Sequence, residues 1–307
     1  MREKGRGFAI KVLRAILVAC FWLITPILYA SDASQKADLV IFSYDRPLQL
    51  YSLLESLEVY VTGLGHTSVI YRVSNEQFAN AYDEVISRFP QIDYLKQGAK
   101  PQEDFKPLTL RAAFDAPNDH IIFAVDDIIV KDFVDLSECI ELLELTGAYG
   151  FYLWLGAHIT ECYSLNRLQR VPPSVEIAEG IYAWEFNRGE CDWRYPHTVD
   201  MALYRKKDIE KDFKEMGYAN PNFLEGHWGS RVGRILDQRG LYFECSKTVN
   251  LPLNRVQNEY RNRHMNFLTP SEMLEVFNAG MKIDIKPLFR IKNKDPHMVY
   301  EPIFIER

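Results

Sequence analysis

From residue 37 onward, short and nearly continuous apolar runs alternate with longer amphipathic stretches. Residues 37–42 (ADLVIF) read as a buried strand, residues 43–46 as a polar turn, and residues 47–60 as a helix with Pro47 suitably placed in its first turn. Residues 68–73 (SVIYRV) are the next predicted strand. Ser74 is then expected to cap a helix running to about Phe89, followed by a brief strand at 92–95 and a helical stretch at 108–114. The run 120–125 (HIIFAV) is apolar at almost every position, as a strand covered on both faces must be. Repeated strand and helix units of this kind predict a mostly parallel sheet with helices on both sides.

The second half is less regular and richer in aromatics. A strand is expected at 149–155 (YGFYLWL), then a long excursion over 161–182 containing Pro172 and Pro173. Long irregular loops in compact domains tend to carry function. Residues 201–204 read as a strand and 207–216 as a helix. A helix entered from Pro221 is expected to end near Arg239 and Gly240, glycine being the usual terminator. A strand at 246–251 and a helix started by Thr269 complete the pattern.

The N-terminus differs in kind. Arg2, Lys4, Arg6, Lys11 and Arg14 precede residues 15–30 (AILVACFWLITPILYA), which are uncharged and apolar. Residues 1–33 are therefore expected to be a signal peptide or an N-terminal membrane anchor, leaving 34–307 as the folded domain. Sixteen apolar residues are short for a span, and Pro26 with the small residues Ala30, Ser31 and Ala33 favours cleavage. Either reading makes the protein membrane-associated or exported.

Over the whole chain of 307 residues, 47% apolar and 25% charged content describes a globular protein with a sizeable core. A net charge of -6 argues against a nucleic-acid partner. Five cysteines without a CxxC pair suggest neither structural zinc nor thioredoxin-like chemistry. The chain also lacks GxSxG, HExxH, a Walker loop and a strand-linked GxGxxG, which weakens serine-hydrolase, zincin, P-loop and dehydrogenase readings.

Asp126 and Asp127 stand where the apolar run 120–125 ends, before Ile128, Ile129 and Val130. In open α/β sheets ligands sit at the carboxyl ends of the strands, so acids there suit a hard divalent cation and a diphosphate. A solvated acidic turn is the competing reading.

Five segments share one resemblance: IFSYDRPLQLYSLLESL at 41–57, VIYRVSNEQFANAY at 69–82, FAVDDIIV at 123–130, DWRYPHTVDMALYR at 192–205 and PNFLEGHW at 221–228. Together they resemble the metal-dependent glycosyltransferases of the GT-A fold, and are similar to small bacterial-type members of family 2. The resemblance covers nearly all of 37–307. It implies a single-domain, Rossmann-like α/β fold with a mixed, mostly parallel sheet flanked by helices. The implied activity is transfer of a sugar from a nucleotide-sugar donor to a hydroxyl on a glycan or glycoconjugate, with Mn²⁺ or Mg²⁺.

Residue by residue, the resemblance places Asp126 and Asp127 at the metal, with Asp127 as the direct ligand and His297 or His264 as a late histidine ligand. The departure from Asp-x-Asp to Val-Asp-Asp-Ile leaves the number of carboxylate ligands open. Tyr44, Asp45, Arg46, Arg72 and Ser74 fall on the donor side, where Arg46 either pairs with phosphate or braces an acid. Asp192, Trp193 and Asp200 fall on the acceptor side. Glu225, at a helix start, is the implied base, and a discrete base favours inversion. His227 and His158 are weaker metal candidates. Two rival readings remain: a catalytically inactive, GT-A-like glycan-binding protein, motivated by the scarcity of nucleotide sugars outside the bacterial cytoplasm, and a nucleotidyltransferase, which also uses metal at an acidic strand end.

Overall fold

The computed structural model describes residues 35–256, 263–265 and 267–307. Strand β1 (Ala37–Tyr44) and helix α1 (Pro47–Tyr60) form the first unit, and a short β2 (Val61–Thr62) leads to β3 (Leu64–Arg72). Helix α2 (Glu76–Arg88) begins one residue later than expected. Asn75, not Ser74, is its cap, with Oδ1 accepting from the amides of Gln77 and Phe78. Strand β4 (Asp93–Lys96) follows, then α3 (Pro101–Phe114). That helix is twice the predicted length because Pro107 sits inside it and masks its first turns in the sequence.

Strands β5 (His120–Val125) and β6 (Ile128–Val130) flank the Asp126-Asp127 turn, and β7 (Val134–Asp135) runs into α4 (Leu136–Thr146). The predicted strand at 149–155 shortens to β8 (Gly150–Tyr152). The excursion 161–182 holds strands the pattern did not reveal: β9 (Glu161–Cys162), β10 (Arg167–Leu168), β11 (Ser174–Ala178) and the start of β12 (Ile181–Glu185). Strand β13 (Ala202–Arg205), α5 (Lys206–Glu215) and α6 (Pro221–Gly229) come next.

Strand β14 (Arg239–Phe243) corrects the sequence reading, because Gly240 ends no helix. It lies in mid-strand, where a Cβ would stand 2.4 Å from the Trp184 ring, so glycine is required by the close packing of that indole. Strand β15 (Thr248–Asn250), α7 (Pro270–Asn278, with a Thr269–Glu272 capping box), β16 (Met281–Ile283) and β17 (Phe304–Glu306) complete the described chain.

Nine strands form one sheet in the order β11-β12-β14-β8-β13-β5-β1-β3-β4. Parallel pairing joins β5, β1, β3 and β4, and also β14 with β8. Strand β13 runs antiparallel to both of its neighbours, and β11-β12-β14 is antiparallel too. The chain thus forms a mixed α/β sheet flanked by helices, as expected.

Alternation along the central strands divides the core in two. Leu39 and Ile41 of β1 with Ile122 and Ala124 of β5 face the layer of α1, α2, α4 and α7. Val40, Phe42, Ile121 and Phe123 face α3, α5 and α6. Each of the buried Leu, Ile, Val and Phe side chains contributes about 1.5–3 kcal/mol. At the amino ends of the strands Asp38 accepts from Lys206 Nζ at 2.7 Å, from the His66 amide and from Asn118, tying β1, β3, β5 and α5 together.

Cys139, Cys162, Cys191 and Cys245 are free thiols. Among the described residues no helix is long and apolar enough to cross a membrane. The expected signal peptide or anchor at 1–33 lies outside the described residues.

Candidate active site

A cleft of about 1190 Å³ opens at the carboxyl ends of β1, β3 and β5, where the parallel half of the sheet stops. Asp126 and Asp127 stand on its floor, but their environments differ. The Asp126 carboxylate is fully engaged: Oδ2 accepts from Ser43 Oγ (2.8 Å) and the Tyr44 amide (3.2 Å), and Oδ1 accepts from Arg46 Nη1 (2.9 Å). Asp127 Oδ2 also accepts from Arg46 Nη1, at 3.2 Å. Asp127 Oδ1 is buried and receives no hydrogen bond. A buried acceptor with no donor is costly unless a cation completes it.

Arg46 resolves the choice left open by the sequence, because it braces acids. Besides both aspartates, its Nε donates to Asn254 Oδ1 (2.9 Å) and its Nη2 to the Asn254 carbonyl (2.5 Å). Burial works against its charge, but Asp126 and Asp127 outweigh burial and hold the guanidinium protonated.

Strand β15 brings His297 to the same place. It pairs with β6 directly after the aspartate turn, and Asn250 on it bonds the passing chain through the Pro296 carbonyl and the Met298 amide (2.9 Å each). Asp295 Oδ1 accepts from the His297 amide and lies 3.8 Å from Nδ1, while Tyr163 stacks on the ring at 5.4 Å between centroids. Burial lowers the imidazole, yet Asp295, Asp200 and Asp127 together push it up to about 9. The acids around it seek positive charge.

Glu225 occupies the second turn of α6, whose start is capped by Asn220 Oδ1 on the Phe223 amide (2.9 Å). Its Oε1 accepts from Thr198 Oγ1 (2.7 Å) and the Val199 amide (3.1 Å), so the loop before β13 fixes the carboxylate. Burial pushes the group up, against those two bonds and the pull of His297. Asp200 is pushed up to about 7, first by burial and then by Glu225. Among the described residues no group of three or more His, Cys, Asp or Glu side chains gathers closely enough to hold an ion. Asp127, with its orphan oxygen, and His297, oriented by Asp295, are the pair whose chemistry fits one.

No family model matches the chain. The bifunctional glycosyltransferase pgtA of Dictyostelium discoideum is 27% identical over 257 residues, covering 73% of this chain and 33% of that protein. The chain is similar to a glycosyltransferase. It spans about a third of the length of this curated relative. Among solved structures, S. aureus TarS in complex with UDP is 12% identical with a TM-score of 0.45, covering 68% of this chain and 58% of that one. A Pyrobaculum calidifontis mannosyltransferase in complex with GDP-Man and Mn²⁺ is 10% identical with a TM-score of 0.39, covering 74% and 61%. Both are distant likenesses.

The remaining expected site residues divide. Tyr44 and Arg72 line the cleft together, the guanidinium lying 4.6 Å above the phenol ring. Asp45 and Ser74 do not line it. Asp45, at φ 51°, turns its carboxylate to the Ser74 amide (2.9 Å) and ties the loops after β1 and β3. Asp192 and Asp200 line the cleft, though Asp192 is held by Gln169 Nε2 at 2.7 Å. Trp193, expected on the acceptor side, is fully buried against Trp184 and Tyr242, because its amphipathic indole is satisfied inside by the Ile159 carbonyl. His264 lines the cleft, whereas His227 and His158 lie outside it.

Sequence reasoning missed Asn254, Thr198, Tyr163 and Asp295. Only Asp295 left a signal, in the Asp-Pro-His spacing that sets a carboxylate two residues before an imidazole. The others act through contacts between distant segments.

Proposed function

We propose that this chain transfers a sugar from a nucleotide-sugar donor to a hydroxyl of a glycan or glycoconjugate, with inversion, using Mn²⁺ or Mg²⁺. The observation that carries the reading is the buried, unpartnered Asp127 Oδ1, set in a cleft across which Glu225, Asp200 and His297 lie. Asp127 and His297 would hold the cation. When bound, it supplies Lewis acidity that stabilises charge developing on the departing diphosphate.

The chain's own residues do the rest. Arg72 over Tyr44 presents a cation and an aromatic face to the donor side of the cleft. Arg46, at the wall of the cleft, keeps Asp127 in place. On the acceptor side, Glu225 takes the proton of the attacking hydroxyl as its oxygen bonds to the anomeric carbon and the bond to the diphosphate breaks. Thr198 and Val199 hold Oε1, so the carboxylate meets the acceptor in a set orientation. Asp200 and Asp192 are placed to receive acceptor hydroxyls. The glycosyltransferase relative supports this reading at the level of reaction class.

The test is a panel of UDP-, GDP- and CMP-sugars incubated with the full chain, with and without Mn²⁺, following nucleotide release. Metal-dependent release from one donor, lost in Asp127→Asn, is expected. Glycan binding without nucleotide binding would favour the non-catalytic alternative, and pyrophosphate release from a nucleoside triphosphate would identify a nucleotidyltransferase. A signal peptide or anchor at 1–33 would deliver the enzyme to a membrane or beyond it. Mass determination of the mature N-terminus distinguishes the two.

A further inference from the structure

Asp127 and His297 alone are a sparse shell for Mn²⁺ or Mg²⁺, hard ions that take about six ligands and prefer oxygen. Asn250, on β15, stands between them. On one side it faces Ile128 in the ladder with β6, and the amide of the next residue, Leu251, donates to the Asp127 carbonyl (2.8 Å). On the other side it bridges to His297, its amide donating to the Pro296 carbonyl and its carbonyl accepting from the Met298 amide (2.9 Å each). The backbone around one residue thus fixes both candidate ligands.

The Asn250 side chain lies in the wall of the cleft and the residue is 3% exposed. It donates to the carboxylate of Asp200, which is itself close enough to feel the charges of His297 and Asp127. An ionised carboxylate can only accept, so the amide nitrogen is turned to Asp200 and Oδ1 is the end left over. Asn250 Oδ1 is buried and receives no hydrogen bond, the same condition as Asp127 Oδ1.

Two other buried atoms on the cleft without a partner, Asn254 Nδ2 and Trp154 Nε1, are donors and suit substrate oxygens. Asn250 Oδ1 and Asp127 Oδ1 are acceptors. A substrate hydroxyl brings one proton and could satisfy one of them, whereas a divalent cation takes lone pairs from several oxygens at once. A neutral amide oxygen is a hard ligand of the kind such ions bind, and it adds no negative charge to a site that already holds Asp126, Asp127 and Asp200.

We propose, resting on the metal-dependent reading of the cleft, that Asn250 Oδ1 is a third protein ligand of the divalent cation beside Asp127 and His297. This accounts for the lack, among the described residues, of a third His, Cys, Asp or Glu placed to complete the site. The third ligand is an amide.

Mn²⁺ titrated alone into the full chain, with the free ion counted by electron paramagnetic resonance, tests the proposal without turnover. Asn250→Ala with native circular dichroism should bind Mn²⁺ at least about tenfold more weakly than wild type, the loss that even an outer-sphere partner of a metal causes. Asn250→Asp returns an oxygen to the same place with added charge and should bind more tightly than wild type, although it removes the donor to Asp200 and sets a second carboxylate against it. A residue that merely positioned Asp200 would weaken Mn²⁺ binding in both variants or in neither, and either pattern overturns the proposal. Should Asn250→Ala fail to fold, Asn250→Asp decides alone: tighter binding supports the ligand, and equal or weaker binding overturns it. Mn²⁺ binding that is lost in Asp127→Asn but unchanged in Asn250→Ala would remove Asn250 and leave the metal reading standing. A wild-type chain that binds no Mn²⁺ would remove both.

Discussion

Arg46 and Asp126 form a buried ion pair, Nη1 to Oδ1 at 2.9 Å, that fastens the turn after β1 to the end of β5. The same nitrogen reaches Asp127 at 3.2 Å, so one guanidinium sets the position of both acids while only Asp127 keeps an oxygen to spare. The two neighbours therefore have different duties, and their substitutions should separate.

Asp126→Ala leaves Arg46 buried with part of its charge uncompensated, a change that costs about 3–5 kcal/mol in buried pairs. Asp127→Asn preserves the shape and leaves the Arg46–Asp126 pair intact, so its effect on stability should stay within about 1 kcal/mol. Thermal unfolding should show the first variant strongly destabilised and the second near wild type. Nucleotide release should be lost in Asp127→Asn despite its intact fold.

Glu225→Gln retains an oxygen able to accept from Thr198 Oγ1 and the Val199 amide, but cannot take a proton. The turnover number should fall about 10²–10⁴-fold, the usual worth of a positioned base. Affinity for nucleotide diphosphate, measured by calorimetry, should not change. An equal loss of both would return Glu225 to the role of an ordinary helix-start acid.

His197 provides an acid-sensitive element outside the cleft. Its Nδ1 meets the Trp228 carbonyl (2.7 Å), its Nε2 the Tyr149 hydroxyl (3.0 Å), and its ring stacks on Trp228. Burial is the main reason its pKa falls to about 4 from an ordinary 6.5. Below 6.5 the unfolded chain binds a proton that the folded chain refuses, so this contribution is complete above 6.5 and lost as the pH falls towards 4. The drop is up to about 3 kcal/mol. Urea unfolding between pH 7 and pH 4 should show it, and His197→Gln should flatten that part of the profile.

Trp193→Ala tests whether the indole packs the core or receives the acceptor. As a fully buried ring among Trp184 and Tyr242, it should cost about 3–5 kcal/mol on truncation. Below the lowered melting temperature, KM for acceptor should stay near wild type. A raised KM with unchanged stability would reinstate the acceptor role.

Local pattern was enough for the elements that carry a strong period or a clear stop. The apolar run into Asp126 and Asp127, the Pro47 helix start and the βα order could be read directly, because each depends on burial or dihedral preference of neighbours in sequence. Gly240 was misread for the same reason: glycine signals a helix end locally, whereas here it makes room for Trp184 from another strand. The acid pair was legible as candidate chemistry because two carboxylates end an apolar strand, whereas Glu225 was reached only through the resemblance, acids at helix starts being common. Which aspartate keeps a free oxygen, which histidine approaches it, and whether Trp193 faces ligand or core were decided only by tertiary contacts. Arg46 meets Asn254 across 208 positions and His297 arrives through backbone bonds to Asn250, and no spacing along the chain encodes distances of that kind.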